Sequence, residues 1–92
     1  MNSWRFHITE NAEYDIVRLD ASIRRRVKER LLWFQDHFEE TVPLPLGGSL
    51  AGFFKLRVGD WRIVYGIEND KNLVTIHVVD HRDKIYKRKF TI

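Results

Sequence analysis

The feature that most constrains the fold of this 92-residue sequence is a two-residue turn, Gly59-Asp60, between two segments rich in β-branched and aromatic residues. The flanking segments are FFKLRV over residues 53–58 and WRIVYGI over residues 61–67, which are typical of strands. A glycine that leads a two-residue loop favours a type II′ turn, and a turn of fixed length fixes the pairing of its strands. Val58 should therefore face Trp61, and Arg57 should face Arg62.

The alternation of side chains along this hairpin assigns them to two faces of a sheet. One predicted face is apolar and holds Phe54, Leu56, Val58, Trp61, Ile63, Tyr65 and Ile67. A third predicted strand, LVTIHVV over residues 73–79, adds three more apolar residues to that face, Val74, Ile76 and Val78. The other face is predicted to be exposed and holds Phe53, Lys55, Arg57, Arg62, Val64, Thr75 and His77.

Two helices are predicted to cover the apolar face. Residues 4–8 alternate apolar and polar side chains and predict a short first strand, after which Thr9 is the expected N-cap of a helix over residues 10–19. Asp20 is predicted to cap a second helix that ends near His37. The apolar stripe of this helix has helical spacing and consists of Ile23, Val27, Leu31, Phe34 and Phe38.

The segment over residues 42–52 is predicted to be a loop, because Pro43 and Pro45 each lack an N–H and hold the preceding residue extended. We expect it to connect the helices to the strands within a single domain over residues 1–92. The predicted fold class is α+β, with an N-terminal strand, a helical hairpin and then a three-stranded antiparallel meander. The helices should lie on one face of the sheet.

Positive charge is concentrated in the second half of the chain. Residues 1–46 hold seven Lys and Arg against eight Asp and Glu, a net charge of −1, whereas residues 47–92 hold nine against five, a net charge of +4. We expect Val79 to lie beside Arg62, so that four side chains converge near the turn: Arg57, Arg62, His81 and Arg82. Lys55 should lie one step inward, with Tyr86 nearby. Such a cluster is typical of a surface that binds phosphates and bases.

The composition and spacing of the other residue types argue against several classes of protein. The sequence has no cysteine, which excludes disulfides and thiolate chemistry and fits a reducing compartment. Its apolar runs are far shorter than the roughly 18 residues of a membrane span, and its first residues do not resemble a signal peptide. The four histidines lack metal-ligand spacing, and there is no glycosidase-like acid pair or phosphate-binding glycine loop. We therefore expect a cytoplasmic protein without a metal, a cofactor or a membrane partner.

Two motifs make the chain similar to a known family. The segments FKLRVGDWRIVY over residues 54–65 and VDHRDKIYKR over residues 79–88 resemble the RelE/ParE superfamily of type II toxins, and the RelE-like branch in particular. The likeness covers nearly the whole chain. It implies a RelE-like fold and a metal-independent endoribonuclease that cleaves mRNA in the ribosomal A site. It also implies a RelB-like antitoxin, with operator DNA contacted only indirectly through that antitoxin.

The resemblance also implies which residues carry the reaction, namely Lys55, Arg62, Arg82 and Tyr86, at the matching motif positions. Arg62 and Arg82 are expected to contact the phosphate or the leaving group, and Tyr86 to orient or stack a base. Lys55 is the expected acceptor of the 2′-OH proton, and His81 is a candidate proton donor. Further RNA contacts are expected from four basic residues, Arg57, Lys84, Lys87 and Arg88.

Two other functions fit the same resemblance. One is a ParE-like toxin that inhibits DNA gyrase and is not a nuclease, and the other is an inactive relative that binds only its antitoxin and DNA. Lys55 together with His81, Arg82 and Tyr86 favours the nuclease, since gyrase inhibitors of this fold generally do not keep the set. Phe53 stands where well-studied nucleases of the family have a second lysine, which leaves the general base open.

Overall fold

The computed structural model describes residues 3–88, which form two helices and a five-stranded mixed sheet. The strands and helices in chain order are β1 (Arg5–Ile8), α1 (Glu10–Val17), α2 (Ala21–His37), β2 (Leu44–Pro45), β3 (Phe54–Val58), β4 (Trp61–Glu68) and β5 (Leu73–His81). The last described segment contains a short 3-10 helix, Ile85–Lys87. This arrangement confirms the α+β class.

The β3–β4 hairpin has the register that its turn predicts. Val58 pairs with Trp61, Arg57 pairs with Arg62, and the pairing continues in step to Phe54 and Tyr65. Gly59 has a φ of +58°, whereas Asp60 is not among the residues with positive φ. A positive φ at the first turn residue only is the pattern of a type II′ turn.

The two helices begin where the sequence predicts. The Thr9 hydroxyl accepts a hydrogen bond from the Ala12 N–H at 3.1 Å, which caps the start of α1. Asp20 occupies the N-cap position of α2, but its side chain makes no capping hydrogen bond. The first helix ends at Val17, two residues earlier than expected. Neither helix in the described part of the chain is long and apolar enough to cross a membrane.

The strand order of the sheet is β1-β5-β4-β3-β2. The sequence did not predict the positions of the two edge strands, β1 and β2. β1 lies at one edge and runs parallel to β5, so the sheet is a mixed one rather than an antiparallel meander alone. β2 lies at the other edge, where Leu44 pairs with Lys55 inside the segment predicted to be a loop. The pairing of β1 with β5 joins residues far apart in the chain, which local patterns do not specify, and β2 is only two residues long and contains a proline.

The register of β5 differs by one residue from the prediction. Asp80, and not Val79, lies opposite Arg62. The cause is a β-bulge, since Tyr65 pairs with Ile76 whereas its neighbour Val64 pairs with Val78, which leaves His77 as an extra residue. The extra residue reverses the face on which each later side chain of β5 lies.

The sheet consequently has apolar clusters on both faces. The larger one lies under the helices and includes Val27 and Phe34 from α2 packed on Leu56, Ile63 and Tyr65. The smaller one lies on the face predicted to be exposed and consists of Leu46, Leu50, Val64, Val78 and Ile85, with Phe53 packed against it. The prediction of an open face is therefore wrong for its central part, because the 46–50 segment and Ile85 cover it.

We predict that Leu31→Ala lowers the free energy of unfolding by about 2–5 kcal/mol, because it opens a cavity in the larger cluster. Leu31 is 9% exposed, whereas the adjacent Leu32 on the same helix is 63% exposed. Leu32→Ala is thus the matched control and should change stability by less than about 0.5 kcal/mol. Urea unfolding measures both variants, and equal losses would contradict this assignment of the buried face.

We predict that His77 makes the protein less stable in mild acid. Burial lowers the pKa of His77 below its usual value of 6.5; nearby His7 lowers it further, and Glu68 opposes the shift. The unfolded chain therefore binds this proton more readily, so stability is greatest above the unfolded pKa and is lost as the pH falls through it.

The measurement is the melting temperature at about pH 7.5 and about pH 5, a range that brackets the histidine titration. His77→Gln should reduce the fall in Tm between the two pH values, whereas the control His37→Gln should retain the wild-type fall. A pH dependence that is the same in the wild type and both variants would contradict this prediction.

Candidate functional site

The β3–β4 turn fixes the positions of two arginines on the face opposite the helices. Arg57 and Arg62 are direct cross-strand partners, and like charges in such positions repel one another. The Arg62 guanidinium bends back over the turn and donates hydrogen bonds to the carbonyl oxygens of Gly59 at 2.7 Å and Trp61 at 2.9 Å. These bonds hold its charge at the turn, while Arg57 stays exposed.

Arg82 reaches the same turn from the end of β5. Its backbone N–H donates to the carbonyl of Asp60 at 2.8 Å, which fastens the residue after β5 to the turn. Its Nε lies 3.8 Å from Asp60 Oδ1 and 4.0 Å from Asp83 Oδ1, and all three side chains are exposed. Exposed pairs of this kind contribute only about 0–1 kcal/mol, so an incoming phosphate can replace the carboxylates.

Lys55 and Tyr86 are the two other residues that the motifs predict for the site. Lys55 is half-buried on β3 opposite Val64, on the same face as Arg57 and Arg62. Tyr86 follows Ile85, which packs into the smaller apolar cluster on that face, and the Tyr86 side chain is 50% exposed. We call the four cations of this face and turn the basic patch: Lys55, Arg57, Arg62 and Arg82.

Arg26 is a cation near the basic patch that the sequence analysis missed. It lies on α2, yet its Nη2 atom is 2.8 Å from the position that a Cβ of Gly59 would occupy. The side chain therefore reaches the turn from the helix side of the sheet. The sequence gives no sign of this contact, because Arg26 is one of several charged residues on an exposed part of α2. Only the packing of α2 on β3 brings its side chain to the turn.

His81 does not lie on the face that the sequence predicts. It pairs with Trp61 across β4 and β5, and the two rings meet edge to face with centroids 5.5 Å apart. Trp61 packs against the apolar cluster under the helices, so His81 lies on that side of the sheet and not among the basic patch. The bulge at His77 explains the error, because it reverses the faces of all later residues in β5.

The three other basic residues expected to contact RNA fall into two groups. Lys84 and Lys87 are exposed near the end of the described chain. Arg88 is half-buried and donates to the carboxylates of Asp15, at 2.8 Å, and Asp80, at 3.3 Å. Its position differs from that of the exposed lysines, and the role of all three in RNA binding stays a prediction.

The tyrosine of the first motif is a structural residue. Tyr65 is 1% exposed and packs edge to face on Phe34, with ring centroids 4.8 Å apart. Burial raises the pKa of its hydroxyl to about 12, so the group stays protonated at neutral pH. Tyr65 therefore shapes the hairpin and transfers no proton at the surface.

The chemistry available at this site is that of fixed positive charge beside an amine and a phenol. Arginines stay charged at any physiological pH and present several N–H donors, which suits a polyanion such as a nucleic-acid backbone. Among residues 3–88, no group of three or more His, Cys, Asp or Glu side chains is arranged to hold a metal ion.

Comparisons of the sequence with known proteins point to toxins. Residues 6–86 match a family described as the ParE toxin of the type II toxin-antitoxin system, parDE. Toxin RelG from Mycobacterium tuberculosis is 35% identical over 80 residues, which cover 87% of this chain and 92% of that protein.

Solved structures of similar fold give the same result. The crystal structure of the toxin-antitoxin complex RelBE2 from Mycobacterium tuberculosis matches with a TM-score of 0.72 and 31% identity, over 86% of this chain and 98% of that chain. The isolated E. coli RelE toxin matches with a TM-score of 0.68 over 92% of this chain and 93% of that chain, and its 18% identity supports the fold alone.

We predict that Gly59→Ala destabilises the protein by about 1–3 kcal/mol, the usual range for a side chain forced into a rare backbone region. The φ of +58° disfavours any Cβ, and the new methyl group would also displace Arg26. Gly47→Ala is the control, because its φ is −115° and nothing lies within 4 Å of the added Cβ. Urea unfolding of both variants is the measurement, and a Gly59→Ala protein as stable as Gly47→Ala would show that the turn tolerates a side chain.

Proposed function

The chain belongs to the RelE/ParE superfamily and is a toxin of a type II toxin-antitoxin system, and on this premise we propose that it is a ribosome-dependent endoribonuclease. In this proposal it cleaves mRNA in the ribosomal A site and so stops translation. The observation that carries the proposal is the basic patch around the Gly59-Asp60 turn, together with the exposed ring of Tyr86 on the segment that follows β5.

The proposed reaction uses the RNA as its own nucleophile. The 2′-OH attacks the adjacent phosphorus, the bond to the 5′-oxygen of the next nucleotide breaks, and the products are a 2′,3′-cyclic phosphate and a free 5′-OH. One proton leaves the 2′-oxygen and one is added to the 5′-oxygen, so the reaction consumes no metal, water or cofactor. The protein has to orient the chain, move these protons and stabilise the charge that develops on the phosphate.

The residues of the site support this division of tasks. Arg62, held at the turn by two backbone carbonyls, is a preorganised donor for a phosphate oxygen, and Arg82 adds a second charge from the end of β5. Lys55 is the proposed acceptor of the 2′-OH proton. Tyr86 offers an exposed ring on which a splayed base can stack.

His81 is the candidate for the proton that the 5′-oxygen receives. Its side chain is 32% exposed at the end of β5, and its Nδ1 lies 3.4 Å from an Asp83 carboxylate oxygen. Because its ring lies against Trp61 on the helix side of the sheet, it would have to act from around the end of β5 and not from within the basic patch. Arg57, Lys84 and Lys87 are proposed to contact neighbouring phosphates, since they are exposed cations near the same end of the sheet.

The proposed partners follow from the family. Related structures contain RelB antitoxins bound to RelE toxins, and we propose a RelB-like antitoxin for this chain, with operator DNA contacted only through it. The substrate requires that the toxin act in the cytoplasm, where translating ribosomes and mRNA are found.

A second candidate function is inhibition of DNA gyrase without cleavage of RNA. The observation that favours it is the match of residues 6–86 to the ParE toxin family. The same fold would then act by binding, and the basic patch would have no catalytic task. The two functions have different cellular consequences and one experiment separates them.

We predict that induced expression of the toxin in bacteria produces discrete cuts within translated codons, mapped by primer extension on abundant mRNAs. Arg82→Ala should reduce cleavage at least about tenfold, since loss of a transition-state contact costs about 10²–10³ in rate. Tyr86→Ala should reduce it by a similar factor, since stacking of a base on an aromatic ring contributes about 1–3 kcal/mol. Both side chains are half or more exposed, so thermal melts should stay close to the wild type. His81→Gln should also slow cleavage in the same assay, and wild-type cleavage by this variant would reject His81 as the proton donor.

Lys28→Ala is the matched control, because it removes an exposed cation on α2 and should cut mRNA as the wild type does. Intact mRNA together with blocked DNA supercoiling or DNA breaks would reject the nuclease and support gyrase inhibition. Wild-type cleavage by both Arg82→Ala and Tyr86→Ala would show that the protein is a nuclease but that these residues do not carry the reaction.

A further inference from the structure

Arg88 links three parts of the chain through its guanidinium. Its Nη1 atom donates to Asp15 Oδ2 of α1 at 2.8 Å and to Asp80 Oδ2 of β5 at 3.3 Å. The side chains of Arg88, Asp15 and Asp80 are only 27%, 11% and 19% exposed. Partly buried, doubly hydrogen-bonded pairs of this kind are stronger than the exposed pairs of the basic patch.

The carboxylates of Asp15 and Asp80 also accept hydrogen bonds from backbone N–H groups, which hold them in place. Asp15 Oδ2 also accepts the Val79 N–H at 3.0 Å, in the stretch of β5 beyond Ile76, where the pairing with β1 has ended. Asp80 Oδ1 accepts the N–H of His81 at 2.8 Å. Two anionic groups are therefore held beside the edge of β5 by backbone N–H groups, and the Arg88 guanidinium pairs with both.

This bond is the second of two attachments that hold the C-terminal segment. The first is Ile85, which is 3% exposed in the smaller apolar cluster on the face of the basic patch. The second is Arg88, which reaches α1 on the other side of the sheet around the edge of β5. Tyr86 lies between the two attachments, so its backbone is restrained on both sides while its ring is exposed.

The surroundings of Arg88 distinguish it from a residue that contacts RNA. Burial alone would lower the pKa of the Arg88 guanidinium, but the hydrogen bonds and charges of Asp15 and Asp80 outweigh burial and raise the pKa. A phosphate would have to displace two fixed carboxylates to bind it. The adjacent Lys87 is exposed and has no such obstacle.

We propose that Arg88 is a positioning residue, whose bridge to Asp15 and Asp80 holds Tyr86 in place beside the basic patch. This inference deepens the proposed nuclease function and rests on it for its effect on cleavage. The bridge itself is a property of the folded chain. Arg88 thus acts through Tyr86 and does not touch the RNA.

Amide hydrogen exchange in the C-terminal segment tests the bridge without any RNA. The N–H groups of Lys84 and Lys87 donate to the carbonyls of His81 and Lys84, at 2.9 and 3.0 Å, and report whether the segment is ordered. Arg88→Gln should speed their exchange at least about tenfold, as expected when a restraining contact of an ordered segment is lost. Lys87→Gln is the matched control, since it removes the neighbouring charge and should leave the exchange of Lys84 unchanged.

Asp15→Asn should speed exchange to a similar extent, and the double variant with Arg88→Gln should add little, because both remove the same bridge. Arg88→Lys keeps the charge and should give intermediate exchange, which provides a folded variant if Arg88→Gln unfolds. Wild-type exchange rates in folded Arg88→Gln would overturn the proposal.

Kinetics on programmed ribosomes test the consequence of the bridge. Arg88→Gln should lower kcat at least about tenfold with little change in KM, because Tyr86 is misplaced while the phosphate contacts remain. Lys87→Gln should instead raise KM. A rise in KM alone for Arg88→Gln would make Arg88 an RNA contact and overturn the positioning role. If the wild type cuts no mRNA, the nuclease proposal fails, and the exchange experiment still decides whether the bridge exists.

Discussion

The two-residue turn at Gly59 and Asp60 determines on which side of the sheet each residue of β3 and β4 lies. The pairing that buries Leu56 and Ile63 beneath the helices turns Arg57 and Arg62 to the opposite side. A shift of one residue would bury the cations and expose the core, so hydrophobic burial keeps the two arginines opposite one another. Their repulsion amounts to tenths of a kcal/mol, against about 1.5–3 kcal/mol for each large apolar side chain buried.

The parts of the fold that local chemistry controls could be predicted from the sequence. The hairpin register follows from the loop length, the start of α1 from Thr9, and the buried face of α2 from residues such as Val27 and Phe34. The edge strands β1 and β2 could not be predicted in place, because β1 pairs with a strand far along the chain and β2 is only two residues long and contains Pro45. The bulge at His77 has no local signal either, and it accounts for the errors in the faces of Val78 and His81.

The candidate site was predictable to the extent that it depends on the hairpin and on the family motifs. The hairpin register and the family motifs place Lys55, Arg57 and Arg62 together, and the structure brings Arg82 to the same turn. Arg26 and Arg88 show what local patterns leave out. Both side chains reach a distant element, and their surroundings depend on how the helices pack on the sheet.

The carboxylate of Asp15 also blocks part of a strand edge. Unpaired strand edges are where β-proteins join one another and aggregate. The edge strand β1 has only four residues, of which Arg5 and His7 are exposed. The edge strand β2 has only two residues, and one of them is Pro45, which has no N–H to donate. Another stretch of edge lies on β5 beyond its pairing with β1, where Asp15 already accepts the Val79 N–H. The group that holds Arg88 thus also occupies an N–H that another strand would need in order to pair with this stretch of β5.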